Sequence, residues 1–167
     1  MDSQDRTLSG VITLTPCRRQ IVAEDFPALV ILAVLLAVPG VQGLLSPSAA
    51  KVSVTAALVT ALFVLCRYLR LRFTRYDITD EQISCHSGVL TRRCDYIELY
   101  RVTDYEETRG FLQLLLGLKT VIVRSGDPSL PKLVMAGVPS SAAIVPLLRT
   151  RVEYNKKRRS IYEITNR

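Results

Sequence analysis

The sequence predicts a membrane α-hairpin followed by a mainly β domain. Three observations carry this prediction: an uncharged apolar run fills residues 26–45, a second apolar run follows at 52–65, and from residue 73 onward short strand-like runs are separated by turn residues. The chain of 167 residues has room for one ordinary domain besides such a hairpin, so a large enzyme core is not expected.

The first predicted span is residues 26–45, where no charged residue occurs. At about 1.5 Å per residue, a helix of this length reaches roughly 30 Å, the thickness of the hydrocarbon core of a bilayer. Pro39 and Gly40 weaken its far end, but neighbouring helices can satisfy the backbone groups that they free. A kink near Pro39 is therefore expected within the span.

The second predicted span covers about residues 49–71, after a turn at 46–48. Lys51 and Arg67 flank its apolar core, and both side chains are long enough to carry their charges to the interface. Small side chains recur on one helical face, which favours close packing of two helices in lipid, within the chain or between copies. These residues are Ala50, Val54, Ala57 and Ala61.

Two alternatives to a spanning hairpin are open at this point. A helical hairpin buried inside a soluble protein should show a polar stripe, and none occurs in residues 26–45. A cleaved signal peptide fits Arg18 and Arg19 before the apolar core, but the acidic Glu24 and Asp25 also precede it and a second span follows closely. The spanning hairpin is favoured over both.

Basic residues near the span ends predict the orientation. Arg18 and Arg19 precede the first span, and several arginines lie at the end of the second span and just after it. The short connection between the spans contains only Lys51. Because positive residues mark the cytoplasmic side, we expect a protein of the plasma (inner) membrane with two spans and both termini in the cytoplasm. The four cysteines include no CxxC pair, so free structural thiols are expected there.

Apolar and polar residues alternate around Tyr76 and again around Ile83, which predicts two strands joined by a turn. A hairpin turn is expected at residues 87–88, with a returning strand at 89–96. Further strands are predicted at 102–108, 120–124 and 132–136.

Two helical segments are predicted within and after these strands. The leucine-rich residues 111–118 suit a helical turn or an apolar loop, with core packing favoured over a partner-binding surface. Ile144, Leu148 and Val152 have helical spacing, with Ser140 or Ser141 as a possible cap, so an amphipathic C-terminal helix is expected. Pro146 must then lie in or near its first turn.

The order of several short segments in this half of the chain matches the pattern of a known family. The segments are Tyr76-Asp77-Ile78-Thr79, Ser87-Gly88-Val89-Leu90 with Arg92 and Arg93, Ile97-Glu98-Leu99 with Arg101 and Val102, Arg109, Leu115-Leu116-Gly117-Leu118 and Val121-Ile122-Val123. Over about residues 72–155 they resemble the bacterial pleckstrin-homology-like domain of membrane proteins. The resemblance implies two nearly orthogonal antiparallel sheets closed at one end by a C-terminal capping helix, commonly preceded by a two-span hairpin, and it implies no enzyme.

The predicted organisation therefore has four parts. They are an N-terminal cytoplasmic segment at 1–25, the two-helix transmembrane hairpin at 26–71, the pleckstrin-homology-like domain at 72–155 and a basic C-terminal tail at 156–167.

The sequence predicts no catalytic residue, no metal site and no cofactor. His86 is the only histidine, so a multi-histidine metal site cannot be assembled from this chain. Gly110 and Gly117 are not followed by the lysine and hydroxyl pair of a phosphate-binding loop. Acidic residues between 95 and 107 are expected to face nearby arginines on exposed strand surfaces.

The net charge of +7, from 22 Lys and Arg against 15 Asp and Glu, suggests an anionic partner. Two clusters of basic residues are candidate contacts for anionic membrane lipids. The alternative for the first cluster is that its arginines only fix the topology, and the alternative for the second is a solvated tail. The first cluster is Arg67, Arg70, Arg72 and Arg75, and the second is Lys156, Lys157, Arg158 and Arg159. Nucleic acid is not expected as a partner, because the domain lacks interleaved exposed aromatic residues.

The leading functional hypothesis is a non-enzymatic, membrane-anchored adaptor or scaffold subunit that presents its cytoplasmic domain to a protein partner or to further copies in a homo-oligomer. The first alternative is a membrane module that senses anionic lipid. The second is an accessory subunit of a transport complex, for which Gln42 is the sole polar candidate in the first span.

Overall fold

The computed structural model describes residues 10–40, 46–89 and 91–159 of the chain. The four helices of this part are α1 (Gln20–Ala37), α2 (Pro47–Arg72), α3 (Phe111–Leu115) and α4 (Ile144–Arg158). The seven strands are β1 (Ile12–Leu14), β2 (Arg75–Ile78), β3 (Gln82–Ser87), β4 (Arg93–Glu98), β5 (Val102–Thr108), β6 (Leu118–Ser125) and β7 (Lys132–Pro139).

The strands form two antiparallel sheets, in the orders β1-β2-β3-β4 and β5-β6-β7. Apolar residues of both sheets and of α4 meet in one core, which stabilises the domain by removing their side chains from water. The fully buried members include Ile78, Ile83, Leu99, Val121, Val123, Met135 and Leu148. The predicted fold class, a two-helix segment with two antiparallel sheets and a C-terminal helix, is confirmed.

Strand β1 lies before both long helices in the chain but pairs with β2, which follows them. Ile12 is opposite Ile78 and Leu14 is opposite Tyr76 in this antiparallel pair. The two-helix segment is thus an insertion between two neighbouring strands of one sheet. The predicted domain boundary at residue 72 needs correction, because Ile12 and Leu14 also pack against the core of the domain.

The predicted returning strand at 89–96 begins later, at Arg93, and ends at Glu98. Gly88 has a φ of +117°, a conformation that residues with a side chain rarely adopt, so the chain turns there. The first residue after this turn that pairs with β3 is Arg93, which lies opposite Ser87. The prediction of β5 is confirmed, and β6 and β7 extend beyond the predicted 120–124 and 132–136.

Helix α1 begins at Gln20, six residues before the predicted span, and is interrupted at Asp25 by non-helical angles of φ −107° and ψ 19°. Pro27 explains the interruption, since proline lacks an N–H and its ring clashes with the carbonyl of the preceding turn. The predicted kink near Pro39 is instead a 3-10 turn at Val38–Gly40. Residues 41–45, with Gln42, lie outside the described residues.

Helices α1 and α2 run antiparallel and pack closely along a face of small residues. Ala57 is buried in this contact, and the Ser53 hydroxyl donates to the Leu35 carbonyl oxygen at 2.9 Å. Ala50 and Ala61 are half-buried, in agreement with the predicted face, whereas Val54 is 56% exposed and points away from it.

Most large apolar side chains of α1 and α2 are exposed. Both helices are long and apolar enough to cross a bilayer. The exposed residues include Val30, Ile31, Val34, Leu36, Val52, Leu58, Val59, Leu62, Phe63 and Leu65. An apolar surface of this extent requires cover by lipid or protein.

Helix α4 is fastened to the first sheet through buried polar groups. The Arg151 side chain is 2% exposed, and its two terminal nitrogens donate to the Ile78 carbonyl at 3.0 Å and the Gly10 carbonyl at 2.8 Å. Asn155 donates to the Asp80 carbonyl at 2.6 Å. Pro146 lies in the first turn, as predicted, but the helix begins at Ile144 without a serine cap.

The Tyr76 hydroxyl links the two sheets, because it accepts a hydrogen bond from the Ala136 backbone N–H at 3.2 Å. We expect Tyr76→Phe to lower the free energy of unfolding by about 1 kcal/mol at neutral pH, since the buried amide loses its acceptor. Thermal unfolding of the full chain in detergent, followed by circular dichroism, measures this change. A midpoint equal to that of the wild type would contradict it.

The same residue predicts a dependence of stability on alkaline pH. Burial raises the pKa of Tyr76 from 10.0 to about 12. Because the folded state holds the proton more tightly than the unfolded state, the contribution of the neutral phenol is complete below pH 10.0 and is lost as the pH rises towards about 12. The decline of the unfolding midpoint over this range should be shallower in Tyr76→Phe than in the wild type.

Candidate functional site

One end of the first sheet carries both long helices, and we call it the hairpin end. Strand β1 ends there at Leu14, β2 begins there at Arg75, and the loop from β3 to β4 lies beside them. The cleft between this loop and the end of α2 has a volume of about 570 Å³. We call it the hairpin-end cleft; its charged or titratable lining residues are Arg72, Arg75, Asp77, His86, Arg92, Arg93 and Cys94.

Two of the arginines in the hairpin-end cleft are neutralised within the chain. Arg75 Nε donates to Asp77 Oδ1 at 2.8 Å, and Arg93 Nε donates to Asp95 Oδ1 at 2.8 Å. Partial burial opposes ionisation of Asp77, but hydrogen bonds from Thr13 and Arg75 outweigh it and lower the pKa of the carboxyl group. Asp77 is therefore charged at neutral pH and offsets Arg75.

Arg72 and Arg92 are the free cations of the cleft. Both side chains are exposed, and within residues 10–40, 46–89 and 91–159 neither has a hydrogen bond or an ion pair. Two guanidinium groups on facing elements, the end of α2 and the β3–β4 loop, can together bind a phosphate group. This pair is therefore a candidate anion site in the hairpin-end cleft.

Arg67, which is predicted as a lipid contact, joins the two long helices through ion pairs. Its Nε lies 2.6 Å from Asp25 Oδ1 and its Nη2 lies 2.9 Å from Glu24 Oε2. The Asp25 side chain is 7% exposed, so its charge requires this partner. Arg67 is therefore a structural residue, and of the first predicted cluster Arg72 and Arg75 line the hairpin-end cleft, while Arg70 lines its neighbour towards Cys66.

The second predicted cluster does not form a tail after the final helix. Lys156, Lys157 and Arg158 occupy the last turn of α4, where positive side chains are stabilised by the helix dipole. Arg158 Nη1 lies 3.0 Å from Glu81 Oε1, and the Arg159 guanidinium lies 4.2 Å from the centroid of the Tyr100 ring. Helix α4 continues as far as Arg158, because a hydrogen bond and an ion pair join its last turns to the β2–β3 turn.

The two predicted clusters consequently lie at opposite ends of β2. Arg75 begins this strand at the hairpin end, whereas Glu81, the partner of Arg158, belongs to the turn that follows its other end. One flat anionic surface at the hairpin end could contact the first cluster and not the second.

The sequence interpretation missed Arg92 as a site residue, because it placed this residue within the predicted strand at 89–96. Its signal was the pair of consecutive arginines shortly after Gly88, in a loop that folds back towards the base of the second long helix. That placement depends on the pairing of β2 with β3, which the local pattern alone does not fix.

Helix α3 also lies at the hairpin end. Core packing is expected for its apolar side chains, but three of them are exposed. Phe111 is 81% exposed, Leu114 62% and Leu115 75%. The helix is held by Gln113, whose Nε2 donates to Gln20 Oε1 at 3.0 Å. The prediction of core packing for residues 111–118 is wrong for these three side chains, which lie on α3 before the start of β6, and holds for Leu118, which is buried.

His86, Cys94 and Asp77 are close enough to be compared with a catalytic triad. His86 Nε2 lies 3.6 Å from Cys94 Sγ and 3.4 Å from Asp77 Oδ2. A relay needs the acid on one ring nitrogen and the nucleophile on the other, so contacts to the same nitrogen do not make one. Burial raises the pKa of the nearby Cys85 thiol to about 11, which keeps it protonated and unreactive at neutral pH.

The four cysteines are free thiols. Among the residues that the structure describes, no group of three or more His, Cys, Asp or Glu is placed to hold a metal ion.

A family model described as "Bacterial PH domain" matches residues 27–152, a segment that includes most of the two long helices together with the strands from β2 onward and part of α4. No curated protein and no solved structure matches the chain.

Proposed function

Because the chain belongs to the bacterial PH domain family, we propose that it is a non-enzymatic, membrane-anchored scaffold that holds its domain against the cytoplasmic face of the plasma membrane. The observation that carries this proposal is the insertion of two exposed apolar helices between the paired strands β1 and β2. The domain is thereby attached at two adjacent points, so it stays close to the surface that the helices enter.

Three features support lipid as the surroundings of α1 and α2. The helices are long enough to cross the hydrocarbon core, and their large side chains point outward. The hydroxyls of Ser53, Thr55 and Thr60 donate to backbone carbonyls, as is required where water is absent. Arg67 carries its charge to Glu24 and Asp25, near the ends of both apolar segments.

The scaffold role predicts a stable assembly, either with a protein partner or with further copies of the chain. Light scattering of the protein in a mild detergent, coupled to size exclusion, measures the copy number, and affinity purification from native membranes identifies partners. A defined oligomer or a stoichiometric partner is expected. A monomer that retains no other protein would contradict the scaffold role and leave the anchoring to be judged by extraction of membranes with alkaline carbonate.

A second candidate function, binding of anionic lipid headgroups, is favoured by the free arginines Arg72 and Arg92 in the hairpin-end cleft. They lie where the chain passes from α2 into the domain, the level at which headgroups meet a membrane protein. An anionic surface attracts each such charge with about 1 kcal/mol.

We expect the double variant Arg72→Gln and Arg92→Gln to bind phosphatidylglycerol roughly 30-fold more weakly, since two contributions of about 1 kcal/mol are lost. Calorimetric titration of the full chain in neutral detergent with short-chain phosphatidylglycerol measures the affinity. Inorganic phosphate in a parallel titration distinguishes a free anion from a headgroup. Binding by the wild type should also weaken as salt is added.

Lys157→Gln is the matched control, because it removes an exposed charge from the last turn of α4 at the other end of β2. Its affinity for phosphatidylglycerol should equal that of the wild type. Equal losses in Lys157→Gln and in the double variant would show that net charge, rather than the cleft, attracts the lipid.

The transport-subunit hypothesis gains no specific support. The Ser53, Thr55 and Thr60 hydroxyls of α2 donate to backbone carbonyls, and Gln42 lies outside the described residues.

A further inference from the structure

Helix α3 displays an apolar face that the proposed function does not use. Phe111, Leu114 and Leu115 occupy positions i, i+3 and i+4, which lie on one side of a helix, and all three are more than half exposed. We call these residues the α3 apolar face. Burial of large apolar side chains is favourable, so their exposure on a small domain needs a partner surface.

The backbone of α3 is fixed, so the exposed face has a defined direction. Gln113 donates to Gln20 Oε1 at 3.0 Å and to Thr120 Oγ1 at 2.8 Å, and its own Oε1 accepts from the Gly110 N–H at 3.1 Å. Leu112 is half-buried on the opposite side. The three apolar side chains therefore cannot turn inward without breaking these hydrogen bonds.

Contact with Gln20 places α3 beside the first turn of α1. Helix α3 also lines a cleft with Ala23 and Glu24 of α1. Glu24 lies two residues before Phe26, where the uncharged run begins, and at 1.5 Å per residue this is roughly 3 Å of helix. The polar layer on each side of a bilayer is about 5–8 Å thick. If Phe26 marks the hydrocarbon boundary, α3 lies at the depth of the headgroups.

The surroundings of α3 fit a membrane interface better than a protein partner. Phe111 lines a cleft with residues of α1, Val22 and Phe26 of that helix are also exposed, and the exposed Arg18 and Arg19 precede it. An apolar patch next to basic residues is typical of segments that lie in the interface. Three side chains are too few for a stable protein interface, which needs about 800 Å² from each partner.

We propose that the α3 apolar face inserts into the boundary between headgroups and acyl chains of the cytoplasmic leaflet, and so acts as a third contact of the domain with the membrane. This inference rests on the proposed anchoring by α1 and α2. The occupant of the α3 apolar face is lipid, and cover by a second copy of the chain or by another protein is the competing outcome.

The chain contains no tryptophan, so a single introduced tryptophan reports on its own surroundings. Phe111→Trp and Leu114→Trp place the reporter on the α3 apolar face, and Phe63→Trp places it on the exposed side of α2. Tyr154→Trp is the matched control, an exposed aromatic position on α4 near the far end of β2. Each full-length variant is reconstituted in phosphatidylethanolamine and phosphatidylglycerol vesicles that contain brominated phosphatidylcholine, and acrylamide serves as the aqueous quencher.

We expect bromine near the headgroups to quench Phe111→Trp and Leu114→Trp several-fold more than Tyr154→Trp, and bromine deep in the chains to quench Phe63→Trp most. Quenching of the two α3 reporters by acrylamide alone would overturn the inference, as would shielding from both quenchers, which indicates a protein cover. If Phe63→Trp is also insensitive to brominated lipid, the proposed anchoring itself fails. If only the α3 reporters are insensitive, the anchoring stands and this inference falls.

Discussion

Replacement of Arg151 by alanine is expected to lower the free energy of unfolding by about 3–5 kcal/mol, the range for removal of one partner from a buried charged network. The guanidinium group lies under α4, with Asp80 Oδ1 3.5 Å away, and donates to the Ile78 and Gly10 carbonyls. Without it, two carbonyls lose their donor and a cavity opens between α4 and the first sheet. A change of this size is comparable with the whole stability of a small domain.

Chemical unfolding of the full chain in detergent, followed by circular dichroism, measures this effect. Arg149→Ala is the matched control, because Arg149 is an exposed arginine on the same helix and its loss should change the free energy by no more than about 0.5 kcal/mol. Arg151→Lys should fall between the two, since one ammonium group cannot reach both carbonyls in the same geometry. Equal stability of Arg151→Ala and Arg149→Ala would show that α4 is held by its apolar residues alone.

We expect Leu58→Arg to lower strongly the fraction of protein molecules that integrate into membranes. Leu58 lies near the middle of α2 and is 70% exposed. If lipid surrounds this position, arginine in place of leucine costs about 3–4 kcal/mol on the insertion scale. If water surrounds it, an exposed charge should change stability by no more than about 0.5 kcal/mol. The two environments therefore predict different outcomes for one substitution.

The measurement is the fraction of protein that remains in membranes after carbonate extraction, with Leu58→Phe as the apolar control at the same position. Leu58→Phe should integrate like the wild type, and Leu58→Arg should appear in the extract or be degraded. Full retention and unchanged thermal stability of Leu58→Arg would remove the main support for a spanning α2.

The parts of the fold that the sequence predicted correctly are those with a local hydrophobic signal. The long apolar runs form α1 and α2, alternation around Tyr76 and Ile83 predicted the regions of β2 and β3, and β5 has the predicted bounds. Strand β1 was missed because it has three residues, and its partner strand lies beyond both helices. A strand this short becomes visible only through its pairing.

The candidate site was predictable in composition but not in arrangement. Basic residues near the end of α2 were identified, yet the Arg67 charge is neutralised by acidic residues of another helix, and Arg92 joins the cleft from a loop twenty residues beyond Arg72 in the chain. The leucine-rich sequence of α3 is typical of a core segment, but the exposure of Leu114 and Leu115 depends on the position of α3 relative to the second sheet. Long-range contacts decide all three cases.

The separation of β1 from β2 has a consequence for biosynthesis. Thr13 and Asp77, which face each other across these strands, are 64 positions apart, and both long helices are made between them. At roughly 5–20 residues per second, β1 leaves the ribosome several seconds before its partner. The first sheet can therefore close only after both long helices have been synthesised, and β1 has no partner strand during that interval.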